Sequence, residues 1–332
     1  MTDEPGYLWA IGGKIEGEHA VDDTTVYDVA ADEWHSSVDG DLTPMPHGVQ
    51  GAGWARHDGL IYCFGGKADV HTDPVAHVQV YDVAADEWTL RDPMPEPRSK
   101  LGKHYPVVDG RYVYLFGGDT AEGRFSRVGW NWRYDLEKDA WDRGVADAPY
   151  SQSFPLPSAH GEWLYYATGN TQRRGGQNDY PGALNQRYHP GDDRWQVVAP
   201  CPHPVTDGSG ARLGDELHFL GGWNTNREFY REDAAHYRGP VKRHHAVYDY
   251  AANAWRYEDP LPGHWHHGGT RAADGTLWHY LGTIDEEAGE GRDQHTDRIF
   301  RWDGDGWAER SRAPVKKMNF STVHTAVGPG AA

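Results

Sequence analysis

Short apolar runs recur along the chain and each stops at glycine: LWAIGG at 8–13, IYCFGG at 61–66, VYLFGG at 113–118, LYYATGN at 164–170, LHFLGG at 217–222 and LWHYLGT at 277–283. Runs this short, rich in aromatic and β-branched residues and closed by turn residues, predict strands, and the glycines suit turns that need positive φ. Downstream of each run stands a tyrosine followed seven positions later by a tryptophan: Tyr27 and Trp34, Tyr81 and Trp88, Tyr134 and Trp141, Tyr188 and Trp195, Tyr248 and Trp255. The sixth unit is shortened, with Trp302 five positions before Trp307, and the phrase VYDVAADEW is written twice, at 26–34 and 80–88. The tryptophans are spaced by 54, 53, 54, 60 and 52 residues. A fixed period of this length marks a repeat architecture. The Asp-Gly pairs at 58–59, 109–110 and 274–275 are hairpin signals, and AADE, LEKD and PGDD are polar turns before the tryptophan strand. No stretch keeps a period of 3.6. Each unit therefore reads as four strands, and six such sheets close best as a ring, which leaves only short protected edges.

The double glycine, the tyrosine, the tryptophan seven later and Met-Pro-x-Pro-Arg at 94–98 resemble the Kelch repeat over nearly the whole chain. The resemblance implies an all-β, six-bladed propeller with four-stranded blades in one domain. GYLWAIGG at the start is a second strand without its first, and NFSTVHTAVG near the end is a first strand without its second. The C-terminal strand, near Phe320–Val327, is therefore expected to pair with Tyr7–Ile11 and complete the first blade. The expected blades are 1–42 with 316–328, then 43–95, 96–149, 150–202, 203–262 and 263–315. Tyrosine and tryptophan supply large rigid surface at the same place in every blade, so the repeated phrase is a packing device.

Composition narrows the partners. A formal net charge of −18 with lysine scarce beside arginine argues against a nucleic-acid surface. No apolar run is long enough to cross a membrane and no apolar leader follows Met1, so a cytoplasmic protein is the expectation. Cys63 and Cys201 are too few for a disulfide framework; Cys63 falls in an apolar strand and Cys201 in a loop.

Function is sought on the connections, because propellers of one fold serve unrelated activities. In the Kelch arrangement, connections between blades and between second and third strands emerge together around one mouth of the central channel, here called upper. The longest is WNTNREFYREDAAHYRGPVKR at 223–243, and long loops on a rigid scaffold commonly carry function. Lys14, Lys67, Lys100, Lys103, Lys242, Lys316 and Lys317 fall in or beside upper connections, as do Arg98, Arg173, Arg174, Arg227 and Arg231, whereas the lower turns are acidic. Such a face could focus a small anion, with Arg98 and Lys100 as anchors and Trp223 and Arg227 beside them. Glu228, Glu232, Asp285 and Glu286 share that face.

Counting back from the Asp-Gly turns aligns Gln50, Leu101, Gln152, Thr206 and His266 in one ring near the channel mouth, and Gly51, Gly102, Ser153, Asp207 and His267 in the next. Gln50 and Gln152 are thereby ligand candidates. Asp207 and His267 come from adjacent blades, and a carboxylate beside an imidazole can orient it as a general base, so His266, His267 and Asp207 are the catalytic candidates. Many of the twenty histidines gather in the fifth and sixth units: His236, His244, His245, His264, His266, His267 and His295. Imidazole is also the commonest metal ligand. Glu228, Glu232 and His236 share a four-residue spacing resembling the Glu-x3-Asp-x3-His iron site of Kelch specifier proteins, with Glu232 in place of the Asp. With His264 they could hold a divalent ion, iron or zinc; no nucleotide cofactor is expected. The copper site of galactose oxidase has no convincing counterpart, bacterial sialic acid epimerases share the form without a residue-level match, and these residues leave no room for the oligomerising domain of Kelch ubiquitin-ligase adaptors, which weakens the expectation of a scaffold role.

The expected function is a stand-alone enzyme for a small polar or anionic metabolite, working at the upper mouth by isomerase, epimerase or lyase-type chemistry, with or without a metal. The alternative is a non-catalytic module that recognises a protein or glycan through its upper loops.

Overall fold

The computed structural model describes residues 6–15, 19–69, 71–120, 127–172, 179–202, 204–222, 243, 245–285 and 294–330. Six four-stranded antiparallel sheets make six blades. The second blade runs Gly53–His57, Leu60–Phe64, Val78–Asp82, Glu87–Arg91 from channel to rim. The third (Val107–Val108 to Ala140–Asp142), fourth (Leu156–His160 to Arg194–Val197), fifth (Ser209–Leu213 to Ala254–Glu258) and sixth (Gly269–Ala273 to Trp307–Glu309) repeat that order. In the first blade the innermost strand is Val323–Thr325, which pairs antiparallel with Tyr7–Ile11, Tyr7 opposite Thr325 and Trp9 opposite Val323. The ring closes there, as the truncated terminal units require, and the inner edge of Tyr7–Ile11 is covered by its partner strand. Two small accessory sheets on the upper side join Asn170–Gln172 to Asp179–Pro181, and His264–His266 to Thr283–Asp285 and Gln294–His295.

The phrase VYDVAADEW has an atomic explanation. Tyr27 faces Trp34 across the third and fourth strands, and Tyr81 faces Trp88. Asp28 accepts hydrogen bonds from the Ala30 and Ala31 amides at 2.9 and 3.0 Å, which shapes the turn. Asp32 then sits at φ 57° and accepts the Tyr27 hydroxyl at 2.6 Å. The same 2.6 Å bond joins Tyr81 to Asp86, Tyr188 to Asp193 and Tyr248 to Asn253. Aspartate and asparagine recur because they tolerate the left-handed region and offer an acceptor. The tryptophan fastens neighbours: Trp195 donates Nε1 to the Ala146 carbonyl at 2.8 Å, and Trp255 to that of Ala199 at 3.0 Å, each in the preceding blade connection.

Between blades the packing is aromatic. Phe64 meets Tyr134 edge-on at 5.3 Å between ring centres, and Phe116 meets Trp195 at 5.1 Å. Each such pair stabilises by about 0.5–1.5 kcal/mol beyond area burial. The glycine pair serves the same seam. At Gly118, with φ 94°, a Cβ would lie 2.6 Å from the Ser99 carbonyl oxygen. Where the pair is incomplete, Thr168 and Leu281 take the first position at φ 58° and 54°, and the second remains Gly169 and Gly282. A left-handed threonine or leucine is strained, so the fourth and sixth blades retain the turn at a local cost. Cys63 and Cys201 are both buried, and neither is in a disulfide.

Candidate functional site

Each chain segment entering a blade from the upper side must turn sharply down into the innermost strand. One residue per blade makes that turn in the left-handed region: Gly51 (φ 62°), Lys100 (53°), Phe154 (51°), Asp207 (56°), His267 (59°) and Asn319 (57°). Backbone hydrogen bonds tie most of them into a ring. The Gly51 amide donates to Asn319, that of Asn319 to His267, and that of His267 to Asp207, at 3.3, 3.2 and 2.7 Å; the Phe154 amide donates to Lys100 at 2.6 Å. Only one of these six positions is glycine. Left-handed lysine, phenylalanine and histidine store strain of about 1–3 kcal/mol each, and strain of this kind gathers at functional sites.

The ring carries the charged groups of the mouth. His267 Nε2 lies 3.1 Å from Asp207 Oδ2, with side chains only 10% and 6% exposed. Burial pushes the Asp207 carboxyl up, but the charge and hydrogen bond of His267 and the charges of Lys103 and Lys100 prevail and hold it below the usual range. Asp119, opposite Ser99 at the start of the next upper connection, pairs with Lys100 Nζ at 2.9 Å and stands 3.8 Å from Arg127 Nε. Arg127 Nε also donates to Ser153 Oγ at 2.9 Å. Lys67 faces Gln50 across a β-bridge, and its pKa is lowered by burial and by Lys100. The arrangement is a polar mouth whose cations are largely met by buried carboxylates, with an acid–base pair on its wall.

The third blade supplies the floor. Asp58 and Asp274 stand seven residues after their ring residues, Gly51 and His267, whereas Asp109 stands nine after Lys100. The two extra residues cross the channel. Lys103 Nζ donates to the Gly268 carbonyl, and the Thr322 amide donates to the Lys103 carbonyl at 3.3 Å. The third blade lies across the axis from the sixth, so these contacts bridge the channel between the ring above and the inner strands below. Burial lowers the Lys103 amine to about 8, against the raising effect of Asp207. Phe154 adds an apolar surface, its Cε1 reaching to 3.6 Å from the Cβ position of Gly51.

The predicted site residues divide. Asp207 and His267 meet as the alignment required, and Lys100 and Gln50 are at the mouth. Arg98 is not an anion anchor. It is fully buried, donates Nη1 to the carbonyls of Leu115 and Gly117 at 3.1 and 3.0 Å, and stacks on Trp132 at 4.1 Å. Gln152 is likewise fully buried, donating to the Thr168 carbonyl and accepting from Gln186 Nε2 at 2.6 Å. Both fill an inter-blade position whose carbonyl accepts the amide of the second turn glycine, as Val49, Val205, Trp265 and Lys317 do in other blades. Lys317 is accordingly spent on the Ala10 carbonyl at 2.6 Å and on Asp23. The predicted rings also shift: Ser99 and Ser153 replace Leu101 and Gln152 beside Gln50, and Lys100 and Phe154 replace Gly102 and Ser153 beside Gly51. Trp223, Arg227, Glu228, Glu232 and His236 lie outside the described residues, as do the side chains of His264 and His266. Among the described residues no three His, Cys, Asp or Glu side chains group as metal ligands. The sequence reading missed Asn319, Phe154, Arg127 and Asp119; the extra length before Asp109 was the available signal for the third blade.

Comparison with known proteins agrees with this architecture. The Kelch motif model matches residues 51–95, the blade with the double glycine, both aromatics and Met-Pro-x-Pro-Arg. The chain is a six-bladed β-propeller that carries a Kelch motif. Kelch-like protein 40 of Xenopus tropicalis is 28% identical over 198 residues, 58% of this chain and 30% of that protein. Kelch-like protein 40a of Danio rerio is 33% identical over 46% of this chain and 32% of its own length. Kelch-like protein terF of Aspergillus terreus is 27% identical over 64% of this chain and 48% of its own. The propeller thus spans less than half the length of these relatives. The solved structure of YjhT superposes with a TM-score of 0.66 at 16% identity, covering 93% of this chain and all of that one, a likeness of fold.

Proposed function

We propose that this Kelch propeller binds a small polar or anionic metabolite at the upper mouth and acts on it by proton transfer, as an isomerase, epimerase or lyase does. The observation that carries the reading is the 3.1 Å contact between His267 and Asp207, two strained residues from adjacent blades. A carboxylate held ionised beside an imidazole orients the ring and stabilises its protonated form, which a general base needs as it takes a proton. Lys100 and Lys103 lie close enough to act on the same carboxylate and would favour an anionic substrate or developing negative charge. Phe154 and the Lys103 crossing give such a molecule a floor. A divalent ion at Glu228, Glu232, His236 and His264 would add to this pair rather than replace it; near-stoichiometric iron or zinc in purified protein is the measurement that brings it in.

The test is a screen of sugar acids and other small carboxylated or phosphorylated metabolites in D2O, followed by NMR for deuterium incorporation and for new products. His267→Gln and Asp207→Asn should each lower turnover by about 10²–10⁴-fold while leaving the melting temperature within a few degrees. Unchanged turnover in His267→Gln would remove the pair from the chemistry. Ligands that bind at the mouth of the wild type without exchange or product would favour the non-catalytic binding module.

A further inference from the structure

The lower end of the channel has a different chemistry. Beneath the Lys103 crossing lies a cavity of about 260 Å³ walled by residues of five blades. Arg56, Arg212 and Arg271 reach it from the second, fifth and sixth blades, His104 from the third and His324 from the first. The chain carries an excess of acidic residues, with a formal net charge of −18, yet three arginines meet here.

The carboxylates around the lower rim are engaged elsewhere. Asp274 pairs with Arg301 Nη2 at 3.1 Å and accepts from Thr276 at 2.6 Å. Asp58 faces His57 at 3.2 Å. Asp215 is shared between His160 at 3.8 Å and Arg212 at 3.4 Å. Arg212 is thus partly neutralised, while among the described residues neither Arg56 nor Arg271 pairs with a carboxylate. Arg271 donates Nε to the Thr322 carbonyl, and its Nη2 is shut off from water without a hydrogen-bond partner. A guanidinium has five donors in a fixed fork and cannot shed its charge near neutrality, so one with donors left unmatched and no carboxylate beside it favours an anion. The charges of Arg271 and Arg56 both act on His104 and on His324. Burial first, and then those arginines, push both imidazoles down, His324 to about 4. Near neutrality the two rings are uncharged and present one N–H donor each beside two permanent cations.

We infer that the lower channel cavity is an anion site for a phosphate group, with Arg56 and Arg271 as the charge-bearing ligands and His104 and His324 as neutral donors. The tetrahedral oxyanion matches forked guanidinium donors arriving from different directions, and the cavity leaves room for part of the group that carries the phosphate. The site stands apart from the upper mouth because the Lys103 crossing lies between them, and it does not depend on the proposed chemistry there.

The experiment is calorimetric titration of the whole chain with inorganic phosphate and, separately, with ribose 5-phosphate at low and physiological salt. Saturable one-to-one binding that weakens with salt is expected. Arg56→Gln should weaken it at least fivefold, and Arg56→Gln with Arg271→Gln should abolish it. Arg56 is exposed, so the single variant tests the site even if Arg271→Gln fails to fold. Lys100→Gln at the upper mouth should leave the lower affinity unchanged. Preference for free phosphate or for the phosphomonoester identifies the source of the group, and either supports the site. No binding by the wild type, or binding lost in Lys100→Gln and retained in Arg56→Gln, would overturn it.

Discussion

The two ends of the channel are built from the same six inner strands and face opposite electrostatic problems. At the upper end, buried carboxylates meet the cations: Asp119 takes Lys100 at 2.9 Å, and Asp207 takes His267 at 3.1 Å. At the lower end Arg56 and Arg271 have no carboxylate among the described residues, because Asp58, Asp215 and Asp274 sit in turns that engage other side chains. The difference follows from where acids stand in the repeat. Upper acids occupy the inward turn and the residue after the glycine pair, both of which face the axis. Lower acids occupy the hairpin turns, which face outward. A compensated cluster is a preorganised site that holds its groups in place before any ligand arrives, whereas an uncompensated one is completed by a ligand.

The largest effect that would sharpen this contrast is on stability. Asp119→Ala would leave Lys100 and Arg127 facing one another without their common partner, and the Arg127 side chain is fully buried. Breaking a buried pair by removing one partner destabilises by about 3–5 kcal/mol. Arg56→Ala, by contrast, removes an exposed residue with no carboxylate partner and should change stability by less than about 0.5 kcal/mol. Urea unfolding of both variants tests the pair of expectations. A cost below about 1 kcal/mol for Asp119→Ala would mean that water, and not Asp119, balances the upper cations.

Much of this was legible beforehand, and the line between what was and what was not is physical. The strand pairing followed from the spacing of Tyr and Trp because a cross-strand pair with a four-residue turn admits one register. Closure followed from the half-blades at the termini. The Asp207–His267 contact followed from counting, since both blades have the same seven-residue descent from ring to turn. The same counting failed in the third blade, where two more residues displace Lys100 and send Lys103 across the axis. Arg98 and Gln152 were misread because a charged or amide side chain near a loop looks exposed, whereas backbone carbonyls at the blade seam satisfy both. The lower arginines were invisible to motif reading. They come from different blades at positions with no shared register, and only the fold brings them to one cavity.

An intermediate effect concerns the boundary between the two ends. Lys103→Met removes the bond to the Gly268 carbonyl and should destabilise by about 1.5–3 kcal/mol, the range for a hydrogen bond to a charged group. The pH dependence carries a sign. The folded state holds the Lys103 amine at about 8, below its ordinary 10.5, so between those values the unfolded chain binds the extra proton and the native state gains as pH rises. The contribution is complete above 10.5 and is lost as pH falls through 8. Wild type should therefore gain on Lys103→Met between pH 8 and 10.5, by denaturant midpoints at several pH values. Parallel midpoints across that window would place the amine in water and remove the bridge between the two sites.

The smallest effect is spectroscopic and bears directly on the contrast. His324 is held at about 4 by burial and then by the charges of Arg271 and Arg56, against the opposing pull of Asp274. Arg56→Gln removes one repulsive charge, so the imidazole should titrate at higher pH in the variant. Bound phosphate should move it the same way in the wild type, because an anion beside the ring favours its protonated form. The linkage is consistent with both: a histidine depressed in the folded state contributes stability that is complete above the ordinary 6.5 and is lost as pH falls toward 4. Arg56→Gln should therefore narrow the acid-sensitive window from below. Imidazole resonances of His324 and His267, followed by NMR from pH 3 to 8 with and without phosphate, read the two ends together. His324 should move with phosphate and His267 should not, since Lys103 separates them. A shift confined to His267 would assign the anion to the upper mouth and leave the lower arginines without a ligand.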